Sequence, residues 1–261
     1  MSLSCHSRSL FSTLQHYTRL KDLQRGKPLH AHIITTRVYI ANALINLYVK
    51  SGHLHTAHLV FETKPHKDVV SWNTLINGYS QQGFRYSSFV LDLFRRMRGE
   101  NTSPDSHTFA RVCNVASYVK DVLGGGQVHT VAVKAVGCFD VFVGSSLVNM
   151  YCKMGLVGDA RKVFDEMLER NSVTWATMIS GYAMQQLGAD GLEVFILMRR
   201  SEEREEENEF VLTAVLSGLA GPEFVETGKQ IHCLAVKNGL MCNVSVGNAL
   251  VTMYAKCGSL A

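Results

Sequence analysis

"SSLVNMYCKMGLVGDARKVF" (145–164) decides how the rest of this chain is read. An apolar run at helical spacing ends in Tyr151-x-Lys-x-Gly155, Ala160 stands nine residues after the tyrosine, and Phe164 follows four later. The same order recurs in "NALINLYVKSGHLHTAHLVF" (42–61), with Tyr48, Gly52, Ala57 and Phe61, and opens once more in "NALVTMYAKCGSLA" (248–261). A glycine just past a helical stretch marks a C-cap and a turn. Alanine and an aromatic at i, i+4 lie on one face of the helix that follows. Each copy therefore predicts a helix–turn–helix hairpin whose Tyr, Ala, Phe, Leu and Met positions form core.

The copies are spaced regularly. Tyr48, Tyr151 and Tyr254 are separated by 103 residues each, as are Trp72 and Trp175, and His129 and His232. "GKPLHAHIITT" (26–36), with His30, reads as an earlier copy of the histidine segment. Each long block holds three shorter units, giving hairpins at 7–37, 38–68, 69–105, 106–140, 141–171, 172–208 and 209–243, with a partial one at 244–261. A single hairpin cannot bury its apolar face, so the expected fold is all-α, a right-handed α-solenoid of about seven stacked hairpins. The last helix then lacks its partner, and the chain reads as an N-terminal fragment of a longer array.

Composition agrees with this reading and excludes several others. Of 261 residues, 46% are apolar, enough to bury a core. The net charge of +4 permits an anionic partner without demanding one. Seven cysteines (Cys5, Cys113, Cys138, Cys152, Cys233, Cys242 and Cys257) are scattered with no C-x-x-C pair, so neither a disulfide framework nor a zinc site is expected. No run of ~20 apolar residues is long enough to cross a membrane. The first residues are rich in serine, with Arg8, Arg19 and Lys21 and no acid before Asp22, the composition of an organelle transit peptide. Residues 1–6 are read as a remnant of one, ahead of the array, with the opening of the first helix as the alternative reading of this stretch.

Tetratricopeptide repeats carry Trp-x-x-Leu-Gly in their first helix, and that Leu-Gly is absent here. "VVSWNTLINGYS" (69–80), "FVGSSLVNMYCKMGLVGDARKVFDEMLERN" (142–171) and "GKQIHCLAVKNGL" (228–240) strongly resemble the plant pentatricopeptide repeat family. The likeness is to the subclass that alternates long, short and standard repeats, and it covers residues ~7–261, keeping that order through two cycles.

The resemblance implies an organellar single-stranded RNA-binding protein engaged in RNA editing or other processing, in the mitochondrion or alternatively the chloroplast, with editing-complex proteins as further partners. Members present one base to each hairpin and read it with the fifth and last residues of the repeat. Carried over, Asn42 with Asp68 and Asn73 with Asp105 resemble uridine pairs. Ala110 with Asp140 has no clear preference, and Ser145 with Asn171 resembles an adenine pair. Ala176 with Asn208 is weak, Thr213 with Asn243 resembles an adenine pair in a long repeat, and Asn248 stands without its partner. The implied footprint is U-U-N-A-N-(A)-(Y). On a helical wheel Asn42 falls at the edge of the stripe formed by Ala41, Leu44, Ile45 and Tyr48, where a side chain can face a groove. Asparagine is also a good cap, so capping competes with base contact as the reason for Asn42, Asn73 and Asn248.

Catalytic chemistry is not expected. The H-x-E and P-C-x-x-C pair of a zinc deaminase is missing. His53, His55 and His58 lack a Cys or carboxylate in register for a metal, and the once-per-block histidines read as packing or polar-network residues. "GGG" (124–126) is not followed by Lys-Ser/Thr and is expected to replace a turn. No cofactor and no small-molecule substrate is implied. The acidic run "SEEREEENE" (201–209) is expected to be a solvated loop; facing the groove, it would repel phosphates. The alternative to RNA binding is a solenoid that binds a peptide or another repeat protein.

Overall fold

The computed structural model describes residues 5–20, 41–136, 140–201 and 207–258. His30, Cys138, the middle of the acidic run and both chain ends lie outside the described residues. All regular structure among the described residues is helical. Clustering of contacts divides the chain into two units, Met1–Val115 and Ala116–Ala261.

The first unit holds α1 (Cys5–Leu20), α2 (Ala41–Lys50), α3 (Leu54–Glu62), α4 (Val69–Ser80), α5 (Ser87–Gly99) and the start of α6 (Ser106–Val119). The second continues with α7 (Val122–Val136), α8 (Val141–Met154), α9 (Val157–Glu166), α10 (Ser172–Met184), α11 (Gly188–Arg200), α12 (Glu209–Gly218), α13 (Val225–Lys237) and α14 (Val244–Lys256). Within the second unit α8, α10, α12 and α14 pack side by side in one layer. The second helix of each hairpin, α9, α11 or α13, packs against its own first helix and also against the first helix that follows. α2 and α4 stand in the same relation in the first unit, with α3 and α5 behind them.

The expected turn chemistry is present. Gly52 and Gly155 each adopt φ +81°. The amides that follow turn back into the helix, from His53 to the Tyr48 carbonyl at 2.8 Å and from Leu156 to Tyr151 at 2.9 Å. Ala57, Phe61, Ala160 and Phe164 are buried, and the Phe61–Trp72 edge contact at 4.6 Å is repeated by Phe164–Trp175 at 4.9 Å. The recurrent histidines join a polar network: His129 Nδ1 lies 2.9 Å from the Tyr151 hydroxyl and His232 Nδ1 3.1 Å from that of Tyr254.

One expectation fails. The three glycines at 124–126 lie inside α7 instead of replacing a turn. Asp121 caps that helix by accepting from the Gly124 amide at 2.9 Å. A methyl on Gly125 would sit 3.0–3.4 Å from the side chains of Met150 and Met154, so its absence lets α7 approach α8 closely.

Candidate functional site

Among the described residues, the last residue of each hairpin from 38–68 to 209–243 is an N-cap. Asp68, Asp140, Asn171, Asn208 and Asn243 stand immediately before α4, α8, α10, α12 and α14, and each side chain accepts from an amide of the first turn. Asp105 does the same before α6, accepting from the Thr108 amide at 2.8 Å. Capping thus falls to the last residues. Asn73 and Asn248 lie within α4 and α14.

Two carboxylates are thereby brought against two asparagines. Asn42 Nδ2 donates to both oxygens of Asp68 at 3.0 and 3.1 Å, and Asn73 Nδ2 to both oxygens of Asp105 at 2.9 and 3.0 Å. Behind the first pair, the buried Lys64 donates to Asn42 Oδ1 at 2.8 Å and forms an ion pair with Asp68 at 2.7 Å. Behind the second, the Thr108 hydroxyl donates to Asn73 Oδ1 at 2.6 Å and lies 2.9 Å from Asp105 Oδ1. Burial disfavours the Asp68 carboxylate, but hydrogen bonds from Lys64, the Ser71 amide and Asn42 outweigh it and hold its pKa at about 2. For Asp105 burial is likewise overcome, by the Thr108 amide, Asn73 and the Thr108 hydroxyl, and the carboxyl lies below its ordinary value.

In the second unit Ser145 and Asn171 are joined through a third residue. Ser145 Oγ lies 2.6 Å from Thr174 Oγ1, which donates to Asn171 Oδ1 at 2.8 Å. The other predicted positions carry less. Ala110 and Ala176 have no polar side-chain atom, and Ala176 is buried. Thr213 Oγ1 is buried with no hydrogen-bond partner. Asn248 is exposed, and its backbone carbonyl accepts from Thr252 at 2.8 Å. A groove of about 590 Å³ brings together Ala176, Asn208 and Thr213, with Val173, Phe210 and Lys153 on its walls. Ser145, Asn171 and Asn243 lie outside it. Glu209 also lines this groove, whereas Glu207 is turned away to Arg199 at 2.8 Å and Asn238 at 3.1 Å.

Sequence reasoning missed two sets of residues. The first is the buried hydroxyls Ser71, Thr108 and Thr174, each three places after a cap; "DVVS", "DSHT" and "NSVT" carry that cap-x-x-Ser/Thr spacing. The second is a recurring exposed apolar residue two places after the cap: Val70, Phe142, Val173 and Phe210 are 55–72% exposed in the first turn of their helices.

Capped hairpins stacked side by side, with a polar pair recurring at the same register, define an α-solenoid-type helical repeat protein. The chain belongs to the pentatricopeptide repeat family. Two family models, both described as PPR repeat, match it, one over residues 137–168 and the other over 39–63, 70–102 and 173–202. A pentatricopeptide repeat-containing protein of Arabidopsis thaliana is 44% identical over 99% of this chain and 36% of its own length. Two more from that plant, one named chloroplastic and one mitochondrial, are each 34% identical, over 91% and 97% of the chain and 28% and 40% of their own lengths. The chain therefore spans about a third of these relatives. Among solved structures, the maize pentatricopeptide repeat protein PPR10 shares the fold, with a TM-score of 0.51, 14% identity and 96% of this chain covered against 41% of that one. PPR10 in complex with an 18-nucleotide psaJ RNA element gives a TM-score of 0.52 at 16% identity, covering 95% and 42%.

Proposed function

We propose that this chain binds single-stranded RNA and selects its sequence through Asn42 with Asp68, Asn73 with Asp105, and Ser145 with Asn171. The observation that carries the reading is the Asn73–Asp105 pair, in which the fifth and last residues of one hairpin are held side by side in fixed orientation. Such a pair presents a donor and an acceptor to the edge of one base. The exposed Val70, Phe142, Val173 and Phe210 supply apolar surface on which bases can stack, at one residue per hairpin. Lys153 on the groove wall supplies a cation for the phosphate backbone.

The alternating long, short and standard repeats, a role in organellar RNA editing or processing, and a mitochondrial (alternatively chloroplast) location belong to this proposal. So does the absence of catalysis by the chain itself. The relatives named mitochondrial and chloroplastic, and the RNA-bound PPR10, support it by analogy.

A second reading, a solenoid that binds a peptide or another repeat protein, is favoured by the groove around Ala176, whose walls are mainly apolar. Binding to single-stranded UUNANAY RNA, a scrambled RNA and the matching DNA at two salt concentrations separates the two. RNA binding predicts preference for the first oligonucleotide and a fall in affinity with salt. Equal weak binding to all three favours the protein partner.

A further inference from the structure

We propose that the buried hydroxyls of Thr108 and Thr174 determine which base each neighbouring pair accepts, by fixing which of its polar atoms donate and which accept. The inference rests on the RNA-binding reading above and assigns a selectivity role to residues outside the fifth and last positions. Both threonines have 0% exposure, and a hydroxyl so placed must find its partners inside the protein.

Around Thr108 the carboxylate and the hydroxyl fix the polarity together, one on each side of the Asn73 amide. Asp105 can only accept, so the Asn73 amide nitrogen faces it; the Thr108 hydroxyl, with one proton and with Asn73 Oδ1 at 2.6 Å and Asp105 Oδ1 at 2.9 Å, donates to the nearer Asn73 Oδ1 and holds that oxygen inward. The two oxygens of one carboxylate subtend too small an angle at that nitrogen to take both its N–H bonds. One N–H therefore remains, beside the outer lone pairs of Asp105. The pair offers a donor next to an acceptor and fits a base edge that shows an acceptor next to a donor, as uracil does with O4 and N3–H.

Around Thr174 the same side chain gives the reverse. The Thr174 backbone amide donates to Asn171 Oδ1 at 2.9 Å, so that oxygen is fixed as an acceptor. The Thr174 hydroxyl, 2.8 Å from the same oxygen, must donate to it. Its single proton is then committed, and the 2.6 Å contact to Ser145 requires Ser145 to donate. Ser145 is left with lone pairs and Asn171 with its amide N–H groups. This pair fits a base edge with a donor next to an acceptor, as adenine shows with N6–H and N1.

Elsewhere the device is altered or missing. At the first pair Ser71 turns its hydroxyl to the Asp68 backbone carbonyl at 2.8 Å, and Lys64 takes over the contact to Asn42 Oδ1. After Asp140, Asn208 and Asn243 the equivalent places hold the buried Val143, Val211 and Val246. Thr213, whose hydroxyl has no partner, stands in α12, packed against the α14 that carries Val246. Selective reading is thereby confined to the first, second and fourth positions of the footprint.

The test uses the full chain and RNAs bearing each of the four bases in turn at the second, fourth and sixth positions, for the unaltered protein and for T108V, T108S, T174V and V246T. T108V is expected to cut the uracil preference at the second position from about tenfold to under twofold. The fourth position is unaffected, and T108S restores the preference. T174V does the same to adenine at the fourth position alone. V246T, which gives Thr213 a partner, creates a preference at the sixth. A threonine that served folding alone would lower affinity for all four bases together, and that result overturns the proposal, as does full selectivity in both T108V and T174V. If either valine variant does not fold, the other and V246T carry the test. An unaltered chain with no base preference at any position overturns the RNA-binding reading and this inference with it.

Discussion

Asn73 and Asp105, 32 residues apart in sequence, are joined at 2.9 Å, and the second also accepts from the Thr108 amide at 2.8 Å where α6 begins. One side chain thus serves two ends. It satisfies the Thr108 amide in the first turn of α6, and it orients the amide of Asn73. The pair forms where one hairpin ends and the next helix begins.

The Asp68 carboxyl, held at about 2, makes a pH-dependent contribution to stability. An unfolded aspartate titrates near 3.9, so the folded value is depressed. The contribution is fully present above about pH 4 and is lost as the pH falls toward 2. Asp68→Asn keeps a capping side chain and removes the ion pair with Lys64. Thermal melts should show the variant below the unaltered chain at pH 7, with the gap closing in acid. A gap that stays constant to pH 3 would count against the assignment.

Glu209 stands on the wall of the groove, where under the proposed RNA binding its charge would oppose phosphates. Glu209→Lys replaces repulsion with one added cationic contact. RNA affinity should rise several-fold at low salt, and the slope of log K against log salt should steepen by up to ~0.7. An unchanged slope would mean that the backbone does not pass this residue.

A methyl group on Gly188, at the start of α11, would meet the backbone carbonyl of Gly218 at the end of α12. Gly188→Ala is therefore expected to cost about 1–3 kcal/mol through overpacking. Gly158, within α9, faces open space, and Gly158→Ala should be neutral or stabilise by about 0.5–1 kcal/mol. Urea unfolding of both variants checks the contrast; equal effects would show that the contact between α11 and α12 yields.

The hairpins were legible in sequence because their signals are local. Gly52 and Gly155 need a left-handed conformation, and the Tyr, Ala and aromatic spacing marks a buried face whatever lies beyond it. The pairing of fifth and last residues came from family resemblance, and its geometry did not show in the spacing. Thr108 and Thr174 read as ordinary first-turn residues because their partners, Asn73 and Ser145, lie 35 and 29 residues away. The glycines at 124–126 misled for a related reason. Glycine signals a turn by its backbone freedom, but here a helix needs the missing side chain to pack against Met150 and Met154.

The most direct test of RNA recognition by these pairs is the affinity of the unaltered chain and of Asn73→Ala for UUNANAY RNA carrying each base at the second position. Uracil should be preferred by about tenfold, and the substitution should abolish that preference while leaving the first position selective. Equal affinity of the unaltered chain for all four bases at that position would contradict the account.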